Sequence, residues 1–156
     1  MDGLDALIRS LSSGSGSPHG ASGRAGILGD EDNASKLLWA EFGTITAPAR
    51  PTLTRAYDGS EAAAVHGVRE GLGRVVDAAS RGTVGSPMAA LAVAVDDIAE
   101  ATRGAIRSNT PPPLADSTIA ARQSRGNSST ATLVDTGAMV AAVTSQVKPG
   151  ADGWGE

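Results

Sequence analysis

Two long helical patterns, separated by a short break, constrain the fold more than any other feature of this sequence. The first runs from N-cap candidates at Asp58 to Glu61 as far as Ser80, and the second begins at Ser86-Pro87, a typical N-cap and first helical residue. One face of each is apolar, at Val65, Val68, Leu72, Val75 and Ala79 and at Met88, Leu91, Val95, Ile98, Thr102 and Ala105 or Ile106. Because the break from Gly82 to Gly85 is short, the patterns predict an antiparallel helix hairpin.

The core of this hairpin is expected to consist of small side chains. The 156 residues include only two Trp, one Tyr and one Phe. Gly67, Gly71 and Gly73 each weaken the first helix by roughly 1 kcal/mol relative to alanine, which favours close packing against another backbone. Since small side chains bury little apolar area, we expect modest stability of the single chain and a contribution from oligomerisation.

Short elements flank the hairpin in the sequence. Arg24 to Gly29 predict a strand, and the acidic turn Asp30 to Asn33 is expected to cap a helix from Ala34 to Ala40. Apolar and polar residues alternate from Val143 to Val147, which predicts a second strand that pairs with Ile27-Leu28. The predicted fold class is therefore α+β, with a central antiparallel helix hairpin and short peripheral helices packed on a small β-sheet.

Two of the short helices are predicted between the hairpin and the second strand. One spans Thr118 to Arg122 with Asp116-Ser117 as its cap, and the other spans Thr136 to Ala142. The side chain of Asp135 is expected to cap the second helix by accepting a bond from the backbone of Gly137 or Ala138. The polar loop between these helices carries Arg122 and Arg125 and is expected to face solvent or a neighbouring subunit.

Composition divides the chain into three parts. Residues 1–23 combine a short helix, apolar at Leu4, Leu7, Ile8 and Leu11, with a flexible Ser/Gly-rich linker. Residues 24–148 are predicted to form one α+β domain, and residues 149–156 a tail in which Trp154 is a candidate docking anchor. The sequence contains no basic-apolar leader pattern and no apolar run of 18 residues, so we expect a soluble, unexported protein without a membrane partner.

Charge and motif content argue against several functional classes. A net charge of −4 provides no basic field for nucleic acid, and the lack of cysteine excludes disulfides and thiolate chemistry. The acidic residues 30–32 lack the spacing of a calcium loop, and His19 and His66 form no evident ligand pair. We therefore predict no enzymatic activity, no catalytic, cofactor-binding or metal site, and no cofactor.

The triplet Asp135-Thr136-Gly137 has a catalytic counterpart, because aspartic proteases carry it at their nucleophilic carboxylate. That mechanism requires two carboxylates that share one proton. This chain has one copy, followed by an Ala/Val-rich helix. The sequence favours a helix cap over a protease site.

A second motif combines Glu41-Phe42-Gly43-Thr44 with Pro48-Ala49-Arg50-Pro51. Gly43 can adopt the left-handed conformation that ends a helix, and the prolines predict a stiff extended arm that continues into Leu53 to Tyr57. Arg50 is either an anchor for a carboxylate such as Glu41, in this chain or a partner, or a solvated loop residue. The candidate motif and interface residues are Glu41, Phe42, Gly43, Thr44, Pro48, Arg50, Pro51, Asp135, Thr136, Gly137 and Trp154.

The order of these segments resembles that of the tailed-bacteriophage virion morphogenesis proteins, the neck and tail-completion proteins related to the minor tail protein Z group. The resemblance extends over about residues 25–147. Its segments are Gly26-Ile27-Leu28, Trp39 to Thr44, Pro48 to Pro51 with Leu53 and Arg55, two long helices, Pro113-Leu114, Ser117-Thr118-Ile119, and Leu133 to Gly137 with Met139. This chain departs from the pattern at Thr52, where such proteins tend to have an aromatic residue.

The resemblance implies a structural virion protein at the head-tail junction, assembled in the host cytoplasm. Such a subunit would form a homo-oligomeric ring, with a hexamer as one candidate, that joins tail to capsid and contacts other phage neck and tail proteins. DNA could pass through the ring lumen without sequence-specific binding. The alternatives are a tail terminator ring that caps the tail tube and, from a different class, a helical regulatory or adaptor module.

Overall fold

A computed structural model describes residues 21–83 and 86–149 of the chain. In chain order its elements are β1 (Ala21–Ile27), α1 (Glu31–Phe42), α2 (Thr52–Ser80), α3 (Pro87–Arg107), α4 (Asp116–Gln123), α5 (Ala138–Ala141) and β2 (Val143–Pro149). The two strands form one antiparallel sheet. The predicted α+β fold class, with its helix hairpin and small sheet, is confirmed.

Contacts within the chain group it into two compact units. Of the described residues, 21–24, 62–83, 86–97 and 145–149 belong to the first, which we call the hairpin unit. Residues 25–61 and 98–144 belong to the second, which we call the motif unit because it contains the described residues of both sequence motifs.

Small side chains bring α2 and α3 together in the hairpin unit. A Cβ atom built on Gly71 would lie 2.4 Å from the Cβ of Ala90, and one built on Gly67 would lie 3.9 Å from the Cβ of Ala94. As position 71 faces 90 and position 67 faces 94, the two helices run antiparallel. Ser86 caps α3 as predicted, by accepting a bond from the Ala89 N–H through its hydroxyl at 3.3 Å.

The buried face of α2 differs from the predicted apolar stripe. Val75 and Ala79 are buried, but Val65 and Leu72 are exposed. The close approach at Gly71 explains the difference, because it turns the small-residue face inward and leaves the larger side chains beside it. Gly73 has open space around it, so the predicted close packing holds at Gly71 and not at Gly73.

The motif unit contains an apolar cluster drawn from helices α1, α3 and α5 and from β2. Its buried members are Leu37, Ala99, Ile106, Val140 and Val143. Half-buried side chains pack against it, namely Ala25, Ile27, Leu53, Leu133, Val134 and Met139. The cluster fixes the end of α1 close to the loops that carry the sequence motifs.

Element boundaries correct several predictions. Helix α2 begins at Thr52 instead of Asp58, so Leu53 to Tyr57 are helical and not part of an extended arm. Strand β1 begins at Ala21, three residues before the predicted start. Asp116 lies in the first turn of α4, whose N-cap Ala115 makes no side-chain bond. The predicted first helix at residues 4–11 and Trp154 lie outside the described residues.

The acidic turn caps α1 through Asp30, as predicted, but the helix begins at Glu31 instead of Ala34 and extends to Phe42 instead of Ala40. Asp30 occupies the N-cap position, and its carboxylate accepts a bond from the Asn33 backbone N–H at 3.0 Å. Within residues 21–83 and 86–149, no helix combines the length and apolar character needed to cross a bilayer.

Candidate functional site

Glu41 caps the start of the next helix in the chain. Its Oε2 accepts a bond from the Leu53 N–H at 2.7 Å, and its Oε1 accepts bonds from the Thr54 N–H at 3.0 Å and the Thr54 hydroxyl at 2.6 Å. The first N–H groups of a helix have no partner within the helix, and a carboxylate there also interacts favourably with the helix dipole. Glu41 is buried and thereby joins the end of α1 to the start of α2.

Two opposing effects act on the ionisation of Glu41. Burial alone would raise its pKa, while the bonds from Thr54 and from the Leu53 and Thr54 amides stabilise the charged form. Together the bonds outweigh burial, so the pKa of Glu41 lies below its ordinary value. The group is therefore a carboxylate at neutral pH, as a helix cap requires.

Arg50 is buried and binds backbone carbonyls. Its Nε donates to the Pro112 carbonyl at 2.8 Å and its Nη2 to the Pro113 carbonyl at 3.2 Å, while its own N–H donates to the Ala40 carbonyl at 2.6 Å. Both interpretations left open by the sequence are therefore wrong within this chain, since Arg50 neither pairs with Glu41 nor lies in solvent. A proline segment has few N–H groups to form a ladder, so its carbonyls depend on such a donor.

Threonines complete the hydrogen-bonded joint that Glu41 and Arg50 form between the end of α1, the start of α2 and the 112–113 segment. Thr52 is fully buried, and its hydroxyl donates to the Arg50 carbonyl at 3.0 Å. Thr110, also buried, lies 3.5 Å away, oxygen to oxygen. The sequence does not indicate that either side chain is buried, because a buried threonine and an exposed one look alike in sequence.

Asn109 links this joint to the following loop. Its backbone φ of 55° lies in the left-handed region, which asparagine tolerates better than most residues. Its Oδ1 accepts bonds from the Thr132 N–H at 2.9 Å and the Thr132 hydroxyl at 2.7 Å. The Asn-Thr-Pro triplet at 109–111 was the available signal, since asparagine is typical of such turns.

A short tip projects from the joint between Gly43 and Pro48. Gly43 has a φ of 75° and a ψ of 175°, so it does not adopt the predicted left-handed helix-ending conformation. A side chain there would clash with the backbone of Ala49 at 2.7 Å. The tip is closed by two bonds, from the Thr44 N–H to the Ala47 carbonyl at 2.8 Å and from the Ala47 N–H to the Thr44 hydroxyl at 3.0 Å. The tip is thus a defined turn.

Large apolar side chains of α1, of the tip and of the first turns of α2 are exposed. Trp39 and Phe42 lie on one face of α1, Ile45 is in the tip, and Tyr57 is one turn after Leu53. Their exposed fractions are 57%, 75%, 105% and 58% respectively. All aromatic residues in the described part of the chain are therefore on the surface, while its buried apolar side chains are alanine, valine, leucine and isoleucine. Leu38 on α1 is exposed as well. We call these three aromatic residues, together with the aliphatic Leu38 and Ile45, the aromatic set.

The Asp-Thr-Gly motif is built differently from the prediction. The carboxylate of Asp135 accepts a bond from Asn127 and lies 3.5 Å from Nε of Arg122. The N-cap of α5 is Gly137, with a φ of 82° and no side-chain bond, so the predicted capping by Asp135 is wrong. The Thr136 hydroxyl accepts a bond from the Ala138 N–H at 3.4 Å.

Arg122 organises the loop that precedes this motif. It is buried, and Nη1 donates to the carbonyls of Ala131 at 2.7 Å, Ser129 at 3.2 Å and Val134 at 3.3 Å. The expectation that Arg122 faces solvent is wrong, whereas Arg125 is exposed. The backbone carbonyls of a loop without regular structure have no partners in a helix or sheet, so they need other hydrogen-bond donors. A guanidinium can donate to several carbonyls at once.

The described residues contain no group of three or more His, Cys, Asp or Glu side chains placed to hold a metal ion. In the acidic turn, the Asn33 side chain and backbone bond to Asp30 and lower its pKa, as expected for a cap. The chemistry brought together at the motifs is therefore that of hydrogen-bonded joints with an exposed apolar set beside one of them.

Comparison of the chain with protein-family models, with curated proteins and with solved structures gives no match.

Proposed function

We propose that this chain is a non-enzymatic structural subunit of a tailed-phage virion. In this proposal it is a neck or tail-completion protein that assembles into an oligomeric ring at the head-tail junction and joins the tail to the capsid. The order of sequence motifs over residues 25–147 supports this assignment to a family. The observation that carries the assembly role is the exposure of the aromatic set.

Exposed aromatic residues are costly unless something covers them. Tyr, Trp and Phe are enriched in the centres of protein interfaces, where a few such anchors supply most of the binding energy. Trp39 and Phe42 are placed three residues apart on α1, so they point to the same side and can enter one partner surface. A chain whose described aromatic residues are exposed, while its buried apolar side chains are aliphatic, is well suited to completing its stability in an assembly.

The frame behind the aromatic set also suits an assembly subunit. Glu41 and Arg50 hold the two ends of the tip through bonds to α2 and to the 112–113 segment. Because the backbone on either side is fixed, little conformational entropy is lost when the tip meets a partner. A preorganised surface of this kind favours stable contacts between subunits.

The first experiment measures assembly of the purified full-length chain. Native mass spectrometry and negative-stain electron microscopy are expected to give ring-shaped oligomers. The substitutions Trp39→Ser and Phe42→Ser should abolish self-association while leaving urea unfolding of the subunit within about 0.5 kcal/mol, because both side chains are exposed. Arg55→Ser, also exposed and on α2, is the matched control and should keep the oligomer.

The second experiment locates the protein in phage particles. Gold-labelled antibody should mark the head-tail junction, and mass spectrometry of purified virions should detect the chain. A signal on isolated tails, at the end of the tail tube that the ring caps, would favour the tail terminator. A chain that stays monomeric at high concentration and is missing from virions contradicts the proposal.

One observation favours the helical adaptor module as a second candidate. Val65, Leu72 and Val76 lie at helical spacing on α2 and are all exposed, as a helix that receives a partner helix would be. Affinity capture with the full chain separates the two candidates. Recovery of a host regulatory protein with no virion proteins would support the adaptor.

A further inference from the structure

A groove of about 400 Å³ lies in the motif unit between α3 and the α5 region. It is lined by Arg103, Arg107, Val134, Gly137, Val140 and Ala141. Its floor is apolar and its rim carries two guanidinium groups. Grooves of this size that combine an apolar floor with a few charged groups are the usual form of a binding site.

The rim of the groove has an excess of positive charge. Glu100 lies 3.0 Å from Arg103 and 3.3 Å from Arg107, so one carboxylate is shared between two guanidinium groups. The bond from Arg103 and the charges of both arginines lower the pKa of Glu100, which keeps that carboxylate ionised. The second Nη of Arg103 donates to the Val143 carbonyl at 2.7 Å. One positive charge remains in a chain whose net charge is −4.

The segment that matches this groove is residues 150–156, Gly-Ala-Asp-Gly-Trp-Gly-Glu. It carries two carboxylates, at Asp152 and Glu156, no basic residue, and a single aromatic side chain, Trp154. The small residues between them place no bulky group in the way of a close approach. The indole of Trp154 complements the apolar floor of the groove, and the two carboxylates complement the arginine side chains on its rim.

We propose that residues 150–156 of a second copy of this chain occupy the groove, with Trp154 on the apolar floor and the carboxylates beside Arg103 and Arg107. This inference rests on the self-assembly contained in the proposed function and names one contact that links the copies.

The course of β2 favours a second copy over the same chain. Val143, which is bonded to Arg103, begins the strand, whereas residues 150–156 follow its other end at Pro149. Seven residues of strand span roughly 20 Å, and seven extended residues reach at most about 25 Å. Binding in its own groove would therefore require the segment to run back fully stretched, while a groove on a neighbouring copy imposes no such restraint.

Cysteine crosslinking tests the contact, since the natural sequence contains no cysteine. Full-length Ala141→Cys and Gly153→Cys proteins are mixed and oxidised. Residue 141 lines the groove and is exposed, so its substitution should leave the circular dichroism spectrum unchanged; Val134→Cys is the second groove variant. A disulfide-linked heterodimer is expected, because the proposed binding brings residue 153 beside residue 141. A disulfide forms only when the two Cα atoms come within about 7 Å. Ser117→Cys, exposed on α4 and outside the groove, should crosslink at least tenfold more slowly.

Charge substitutions test the recognition. Arg107→Glu should slow crosslinking of the mixture by about tenfold, since rim charges act mainly on association. Combining it with Asp152→Lys and Glu156→Lys in the Gly153→Cys partner should restore the rate. Arg69→Glu, an exposed arginine on α2, is the control and should change nothing.

The double variant Ala141→Cys/Gly153→Cys separates the two sources of the segment. Linked dimers and longer ladders support the proposal, while a closed monomer shows binding within one chain and overturns it. Rings that form without crosslinking at either groove position overturn this inference and leave the proposed function standing. Crosslinking by a protein that is missing from virions contradicts the proposed function alone.

Discussion

The hairpin unit and the motif unit bury different kinds of side chain. Among the described residues, all of the buried polar and charged side chains lie in the motif unit: Glu41, Arg50, Thr52, Ser60, Thr102, Thr110, Arg122 and Thr132. The buried side chains of the hairpin unit are apolar: Val75, Ala79, Ala90, Ala94 and Val95. The hairpin unit is held by the fit of small groups, and the motif unit by specific hydrogen bonds as well as by its apolar cluster.

This difference determines what each unit tolerates. A buried polar group must keep its partner, because an unpaired one loses its interactions with water and gains nothing. Its identity is therefore restricted. A small-residue contact restricts mainly volume, so the hairpin unit should accept any apolar residue that fits the space. The following predictions test this contrast, in order of decreasing effect.

The largest effect is expected for Glu41→Ala. The substitution leaves the Leu53 and Thr54 amides without their acceptor and removes a negative charge from the start of α2. We expect a loss of about 3 kcal/mol in the free energy of unfolding, measured by urea titration with circular dichroism. Glu61→Ala, at an exposed glutamate on α2, should stay within about 0.5 kcal/mol. Equal effects of the two would contradict the role of Glu41.

A loss of about 2 kcal/mol is expected for Arg122→Ala. It leaves the carbonyls of Ala131, Ser129 and Val134 without the guanidinium that they share. Arg125→Ala removes an equal charge from an exposed position three residues away and should change the unfolding free energy by less than about 0.5 kcal/mol. Hydrogen exchange of residues 124–135 should rise in the first variant only.

The hairpin unit provides a matched pair of glycines on one helix. Gly71→Ala gains helix propensity but places a Cβ 2.4 Å from that of Ala90 and 2.9 Å from its Cα, so the helices must separate. We expect a net loss of about 1 kcal/mol. Gly73→Ala meets open space and should gain up to about 1 kcal/mol. Thermal unfolding midpoints that move in the same direction for both would refute the close contact at Gly71.

The smallest effect concerns acid stability. The pKa of Glu41 is lowered in the folded chain, so its contribution is fully present above the ordinary value of 4.5 and is lost as the pH falls through the folded pKa. The difference in unfolding free energy between the natural chain and Glu41→Gln should therefore be constant at neutral pH and shrink below about pH 4.5. The pKa values of Asp30 and Glu100 are also lowered, so these two groups shift stability with pH in the same direction as Glu41. Glu61→Gln controls for the remaining acids.

The sequence predicted the hairpin, because helical periodicity and the Ser-Pro start are local signals that tertiary packing does not override here. It predicted the caps at Asp30 and Ser86 for the same reason. It placed the start of α2 six residues too late, because the group that caps this helix is Glu41, eleven residues before Thr52. A cap that comes from another element gives no signal in the sequence beside the helix that it caps.

The candidate site was predictable as a set of residues and not as a set of contacts. Glu41, Arg50 and Asp135 were all singled out, yet each binds different groups from those expected. Opposite charges suggested that Arg50 would anchor Glu41, but proline carbonyls and helix amides compete for the two side chains. Such backbone partners become visible only when the chain is folded, since every residue offers a carbonyl.

The closed tip at residues 44–47 has a consequence for how such a protein could change its partners over time. Its ends are fixed by bonds that do not involve the side chain of Ile45, and that side chain is fully exposed. A substitution at residue 45 can therefore change this surface, which we propose to be an interface, without a cost to folding. If the proposal holds, descendants of this chain could diverge in specificity at one codon while the buried joint stays the same.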